Sequence, residues 1–506
     1  MLETNRFPRH ILSVLALMLM LAALLWPAIY NGEPFYFSDT TAYVRGADAA
    51  FQKFTGTSTP WSQESATAAD IGDKGAADSA PPLRGISSVK DKTVLAGRSV
   101  YYGALLYIGD RLGGFWVTVL SQALLIILAM AFFLRTIKIP LGARFVLTVL
   151  LLAAVTSVAF YASFLMPDLF AAVTILGCAT LLASHDVRPT HEYVLWFFLV
   201  SASLAFHSSH LVLAGGMLII GLIQDILRRS WPNWRGLVTI IACLVAALAA
   251  EALFGWGVKR AVGAPPMRPP FLMARLIDDG PGYTYLKESC PQSGFEVCNY
   301  LDRLPLKADD FIWAQYGFNS SKPGVFADAS PEVRRRLSDE QYRFVLAVVV
   351  HEPGAVLLGS SENALLQLGK QQLSEFDQAN VDGRRFEEKL PPQYRAQYRS
   401  SAAYRGTVPA DAYSIINPIA FWVSALTLLV IVLTPRVRRL LAPLQLRAIG
   451  LLVAGVVVNA AVCGIMSGPH GRYEARVSWL IPFAAIVVLL QLLRLRSREP
   501  AHAAVV

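Results

Sequence analysis

Four short stretches of this chain carry residues whose types and spacing could do chemistry. Asp39 lies in Phe35-Tyr36-Phe37-Ser38-Asp39-Thr40-Thr41-Ala42-Tyr43. A carboxylate there could act as a general base towards a hydroxyl, or Ser38 or Asp39 could simply cap a following helix. Tyr43 follows as a candidate substrate contact. Asp168, in Met166-Pro167-Asp168, could orient a substrate or the first acid, or cap its own helix. His207 and His210 are three apart and could share one side of a helix. That spacing permits a divalent metal only if Asp39 and Asp168 complete the ligands; polar residues at a turn are the plainer reading. In His470-Gly471-Arg472-Tyr473-Glu474-Ala475-Arg476, two arginines four apart can present paired guanidinium groups to a phosphate, with His470 beside them. The alternative is a surface pair of arginine with Glu474.

These residues need elements to position them, and composition says what kind. Apolar residues make up 54% of the 506 and charged residues 16%, against roughly 25% charged in a soluble domain. The apolar residues also come in long runs. Ten spans are expected: Ile11–Tyr30, Gly113–Leu134, Phe145–Leu165, Leu169–Ser184, Tyr193–Ser208, Leu211–Leu227, Gly236–Gly255, Ile416–Thr434, Ala448–Met466 and Val477–Leu493. The first follows Arg6, Arg9 and His10 but ends in Trp26-Pro27-Ala28-Ile29-Tyr30 rather than a small-residue cleavage site, which marks a retained span.

The fold class is therefore an all-α polytopic membrane protein. A seven-span module fills 1–257 with a long first loop (31–112), a segment covers 258–412, and three spans fill 413–506. With ten spans, one side receives Arg6 and Arg9, then Arg135, Lys138 and Arg144, then Arg188, then Arg228, Arg229 and Arg235, then Arg436, Arg438 and Arg439, and finally Arg494, Arg496 and Arg498. Short basic loops stay cytoplasmic. This places both termini in the cytoplasm and the candidate residues outside. The net charge of +9 follows from these loops, not from a basic, aromatic-studded domain of the kind that holds nucleic acid.

Within the first loop, Asp39–Phe51 and Thr93–Ile108 read as amphipathic surface helices, joined by a small-residue tether between Thr55 and Ser88. In the later segment, Cys290 and Cys298 are close enough in sequence for a disulfide in an oxidising compartment. Cys178, Cys243 and Cys463 fall inside spans. Ser330-Pro331-Glu332 starts a helix, His351-Glu352-Pro353 breaks it, and Gly354–Leu368 continues as an apolar helix that rests on the bundle or the bilayer.

The layout resembles the GT-C superfamily of membrane glycosyltransferases, which includes protein O-mannosyltransferases and lipid A aminoarabinose transferases. The matching pieces are Ser38-Asp39-Thr40-Thr41-Ala42-Tyr43, Met166-Pro167-Asp168, His351-Glu352-Pro353 and His470-Gly471-Arg472-Tyr473. Many relatives have an acidic pair where Asp39 stands between Ser38 and Thr40, and many carry their soluble domain at the C-terminus. The resemblance implies a bacterial inner-membrane enzyme with a periplasmic active site that transfers a sugar from a polyprenyl-phosphate donor with inversion. Asp39 would be the base, Asp168 its helper, and Arg472, Arg476 and His470 the phosphate ligands; no nucleotide would be needed. Two other readings stand beside it: an O-antigen ligase or polymerase type of enzyme, and a lipid or sugar transporter.

Overall fold

The structure, a computed structural model, describes residues 9–57, 59–61, 92–183, 189–316 and 320–496. Most of the Thr55–Ser88 tether, together with Arg6, Arg188 and Arg498, lies outside them. The described residues are helical throughout, with three isolated bridges and no strand. Seven helices are long and apolar enough to cross a membrane: Ile11–Asn31, Phe115–Thr136, Ser208–Leu227, Trp234–Val262, Ala410–Leu433, Pro443–Met466 and Gly471–Arg494. The chain is a multi-pass helical membrane protein. Its outward helix faces carry Leu248, Trp422, Leu426 and Leu433, which lipid rather than water accommodates.

The other three expected spans coincide with shorter apolar helices, Ala143–Val155, Leu169–Ala183 and Thr190–Phe206. Every residue of Leu169–Ala183 is buried, so this helix is the axis of the bundle and meets protein on all sides. The continuous span expected over Phe145–Leu165 is broken. Its helix stops at Val155, where the Thr156 hydroxyl turns back to the Leu152 carbonyl and the Ser157 amide donates to Asn417 Oδ1 at 3.0 Å. A short helix, Val158–Ala162, resumes beyond the break. Side chains that offer the backbone other partners end helices in this way.

The surface helix expected from Asp39 runs over Thr40–Thr55. The one expected over Thr93–Ile108 starts later, at Val100, because Ser99 caps it by accepting from the amides of Tyr101 and Tyr102. The stretch before it is instead stitched to the later segment: Ala96 N donates to Met267 O and Met267 N to Val94 O, both at 2.8 Å. The two surface helices cross at Gly103, where a Cβ would sit 2.3 Å from the Tyr43 carbonyl oxygen.

The segment that follows helix Trp234–Val262 has its own core of Met273, Ile277, Phe295, Phe311, Phe326 and Phe344. A disulfide joins Cys290 to Cys298 across a Cα separation of 5.6 Å. Ser330 caps helix Pro331–His351, which meets Pro353–Gly369 at 109°. The latter packs on Pro443–Met466, and a Cβ at Gly464 would lie 2.5 Å from the Asn363 carbonyl oxygen. Its other side exposes Leu357, Leu358 and Leu365.

Candidate functional site

Asp39 and Asp168 are brought together by backbone, not by side-chain packing. The chain leaving the first span runs beside the turn that precedes helix Leu169–Ala183: Phe35 N donates to Ser163 O and Leu165 N to Phe35 O, each at 2.9 Å. Thr40 tightens the junction. Its hydroxyl accepts from Phe37 N at 2.9 Å and donates to Leu165 O at 3.2 Å. Asp39 occupies the N-cap position of Thr40–Thr55, yet its side chain makes no capping bond. The carboxylate instead pairs with Arg98. Capping therefore does not account for this side chain.

Asp168, buried at the start of its own helix, faces both arginines of the last turn. Its Oδ1 lies 3.7 Å from Arg472 Nε and 3.4 Å from Arg476 Nη1. Arg476 is enclosed. It donates to Asn459 Oδ1 at 3.0 Å and reaches Ser209 Oγ at 3.4 Å and Cys463 Sγ at 3.1 Å. Arg472 lies over the Phe37 ring at 4.3 Å and the Tyr473 ring at 5.1 Å, while Tyr161 donates its hydroxyl proton to the Arg472 carbonyl at 2.9 Å. Glu474 is not the partner of these arginines; Asn459 donates to its carboxyl at 3.1 Å.

Three guanidinium groups thus meet two carboxylates. A third acid nearby, Glu375, feels the pull of Arg472, while burial raises its pKa. Arg98 Nε, Arg472 Nη1 and Arg476 Nε are buried without hydrogen-bond partners. Buried donors are nearly always satisfied, so unspent donors on a surplus of positive charge are the mark of a site built for an anion. Tyr43 faces the same cluster, and burial with the Asp39 charge keeps its phenol protonated.

The chain matches no family model, no curated protein and no solved structure. The geometry alone carries the reading of the site.

The histidines divide. His207 Nδ1 shares a hydrogen bond with Ser209 Oγ at 2.8 Å, and His210 Nδ1 one with the Ser203 carbonyl at 2.7 Å; the rings lie 5.3 Å apart. Among the described residues no three His, Cys, Asp or Glu side chains gather to hold a metal, and both carboxylates that would complete such a set are engaged by arginine. His470 stands outside the arginine cluster. Its ring faces Asp309, with Nε2 3.5 Å from Oδ2, and the hydrogen bond to that ring lowers the Asp309 pKa. Gln367 clasps its backbone, donating to the carbonyl at 2.8 Å and accepting from the amide at 2.9 Å. His470 fastens the last turn to the later segment.

Sequence reasoning missed Arg98, Glu375, Asn459 and Ser209. Arg98 is one of the basic residues of a long loop and has no second arginine three or four residues away, the spacing that marked Arg472 and Arg476. Asn459 is an isolated polar residue in an apolar span, a signal that was present.

Proposed function

We propose that the chain is a glycosyltransferase of the bacterial inner membrane, crossing it ten times, that moves a sugar from a polyprenyl-phosphate donor to a hydroxyl on the periplasmic side. What carries the reading is the gathering of Asp39 and Asp168 with Arg98, Arg472 and Arg476 at one end of the helical bundle. A phosphate at the membrane edge with a carboxylate beside it is the pairing that reaction needs.

The acceptor hydroxyl gives its proton to Asp39 as its oxygen attacks the anomeric carbon. The bond from that carbon to the phosphate oxygen breaks, the configuration inverts, and the lipid phosphate leaves with the electron pair. Arg472 and Arg476 stabilise the charge that builds on it, held in place by Asp168, Asn459 and the Phe37 ring. The resemblance to GT-C enzymes supports the same assignment, and the basic loops support ten spans with the site outside.

The test is transfer from a radiolabelled polyprenyl-phosphate sugar by protein reconstituted in liposomes. Asp39→Asn keeps shape and removes basicity, so the rate should fall by about 10²–10⁴ in protein that remains folded. Transfer at the wild-type rate by Asp39→Asn would refute the assignment of the base.

A further inference from the structure

Asp39 has a feature that a waiting base should not have. Its carboxylate is already committed to Arg98, whose guanidinium occupies the oxygen that an acceptor hydroxyl would need. Arg98 is equally constrained. Burial works to lower its pKa, and the charge and hydrogen bond of Asp39 outweigh this and raise it. Arg98 needs an anionic partner in this setting.

The backbone around Arg98 is pinned on both sides, by the bonds from Ala96 and Val94 to Met267 and by Ser99 Oγ donating to Ala205 O at 2.7 Å. The long side chain is the movable part. It borders an open cleft whose other walls include Leu204, Phe206, Leu211 and Phe254. Those residues come from the ends of apolar helices Thr190–Phe206, Ser208–Leu227 and Trp234–Val262. His207 also lines the cleft and, through Ser209, touches the polar shell of Arg476. Glu251 also lines the cleft, its carboxylate held by Arg268; the cationic head beside these apolar helix ends suits a phosphate on a long lipid chain.

We propose that this cleft admits the phosphate of a lipid monophosphate, and that Arg98 exchanges Asp39 for that phosphate on binding, so that arrival of the lipid is what frees the carboxylate to act. The inference rests on the glycosyltransferase reading and adds an order of events to it. The base is masked in the empty site, and Arg98 shares the bound phosphate with Arg472 and Arg476. Arg98 keeps an anionic partner throughout, and the freed Asp39 side chain, 25% exposed, is left to water and the acceptor.

The experiment is a double-mutant cycle on the affinity of the full chain, in phosphatidylcholine nanodiscs, for polyprenyl monophosphate. The proteins are wild type, Asp39→Asn, Arg98→Gln and the double variant. Asp39→Asn frees Arg98 in advance and should bind about two- to fivefold more tightly, the range expected when a part-exposed competing ion pair is removed. Arg98→Gln should bind about tenfold more weakly, since it loses a charge-assisted hydrogen bond. The double variant should match Arg98→Gln. No gain in Asp39→Asn, or the same gain without Arg98, would overturn the exchange while leaving the transferase reading intact. Failure of wild type and all variants to bind the lipid would overturn both. Inorganic phosphate is the second ligand, and binding as tight as that of the lipid would overturn the lipid assignment.

Discussion

The two ends of one pair of helices hold the same kinds of side chain in different proportions. Ser208–Leu227 and Pro443–Met466 pack side by side in opposite directions. At one end Asp225 meets Arg447 at 2.7 Å, one acid to one base, with each side chain 4–5% exposed, and Ser230 also donates to the acid at 3.1 Å. At the other end Ser209, Asn459 and Cys463 surround Arg476, which shares Asp168 with Arg472. The first arrangement is balanced and closed. The second has more cations than anions and longer contacts, of 3.4–3.7 Å. Burial of charge is common to both and so distinguishes nothing. Imbalance is what separates a site from a brace.

The sharpest way to break this contrast is to treat the two ends alike. Asp225→Asn leaves Arg447 buried without its acid and should cost about 3–5 kcal/mol of stability, read as a lower thermal midpoint in detergent. Replacing both partners, Asp225→Leu with Arg447→Met, should recover most of that loss and retain sugar transfer. The same exchange at the other end, Asp168→Leu with Arg476→Met, should leave a folded protein that transfers nothing. Recovery of transfer there would make that end a brace as well.

A smaller effect sharpens the role of the paired guanidinium. Arg472→Lys keeps the charge but loses the planar fork, and should raise the donor KM about tenfold, the size of one charge-assisted hydrogen bond, with expression unchanged. An unaltered KM would mean that only charge matters at this position.

Glu33 is a third case, a buried acid beside neither cluster, whose pKa burial raises to about 8. Its carbonyl accepts from Asn31 Nδ2 at 2.9 Å, while its carboxyl Oε1 has no hydrogen-bond partner. An acid with a raised folded pKa holds its proton longer in the folded than in the unfolded chain. Its contribution to stability is therefore full below about 4.5, the ordinary value for this side chain, and is lost as pH rises towards 8. Glu33→Gln should reduce the fall in thermal midpoint between pH 5 and pH 8, a modest change of slope. An unchanged slope would place the titration on another group.

Much of the scaffold was legible because apolar runs announce themselves. Seven of the ten expected spans have helices long and apolar enough to cross a membrane and the other three have shorter apolar helices, while Ser330-Pro331-Glu332 and the break at His351-Glu352-Pro353 lie where spacing put them. The interruption at Thr156 and Ser157 was not legible, since two hydroxyl residues are tolerated in a span, and what turns them into a break is Asn417 from a distant helix. The late start at Val100 has the same kind of cause, the backbone pairing with Met267.

For the candidate site, residue type flagged Asp39, Asp168, Arg472 and Arg476, and the fold sets them in one neighbourhood. What joins them is a run of main-chain bonds from Phe35 to Ser163 and Leu165, which no side chain betrays. The partner of Asp39 could not be read for a related reason. Arg98 was expected inside the surface helix Thr93–Ile108, and it reaches Asp39 only because Met267 and Ala205 anchor its backbone. Charge pairs across long sequence separations are decided by topology, whereas helices are decided by local pattern.

The most direct measurement is the affinity of purified protein for polyprenyl monophosphate, compared between wild type, Arg472→Gln and the Asp225→Leu/Arg447→Met pair, each verified as folded. The expected result is binding by wild type and by the apolar pair with the same affinity, and a loss of about tenfold or more in Arg472→Gln. Equal affinity in wild type and Arg472→Gln, or loss in the apolar pair alone, would contradict the assignment of the anion site to the unbalanced end.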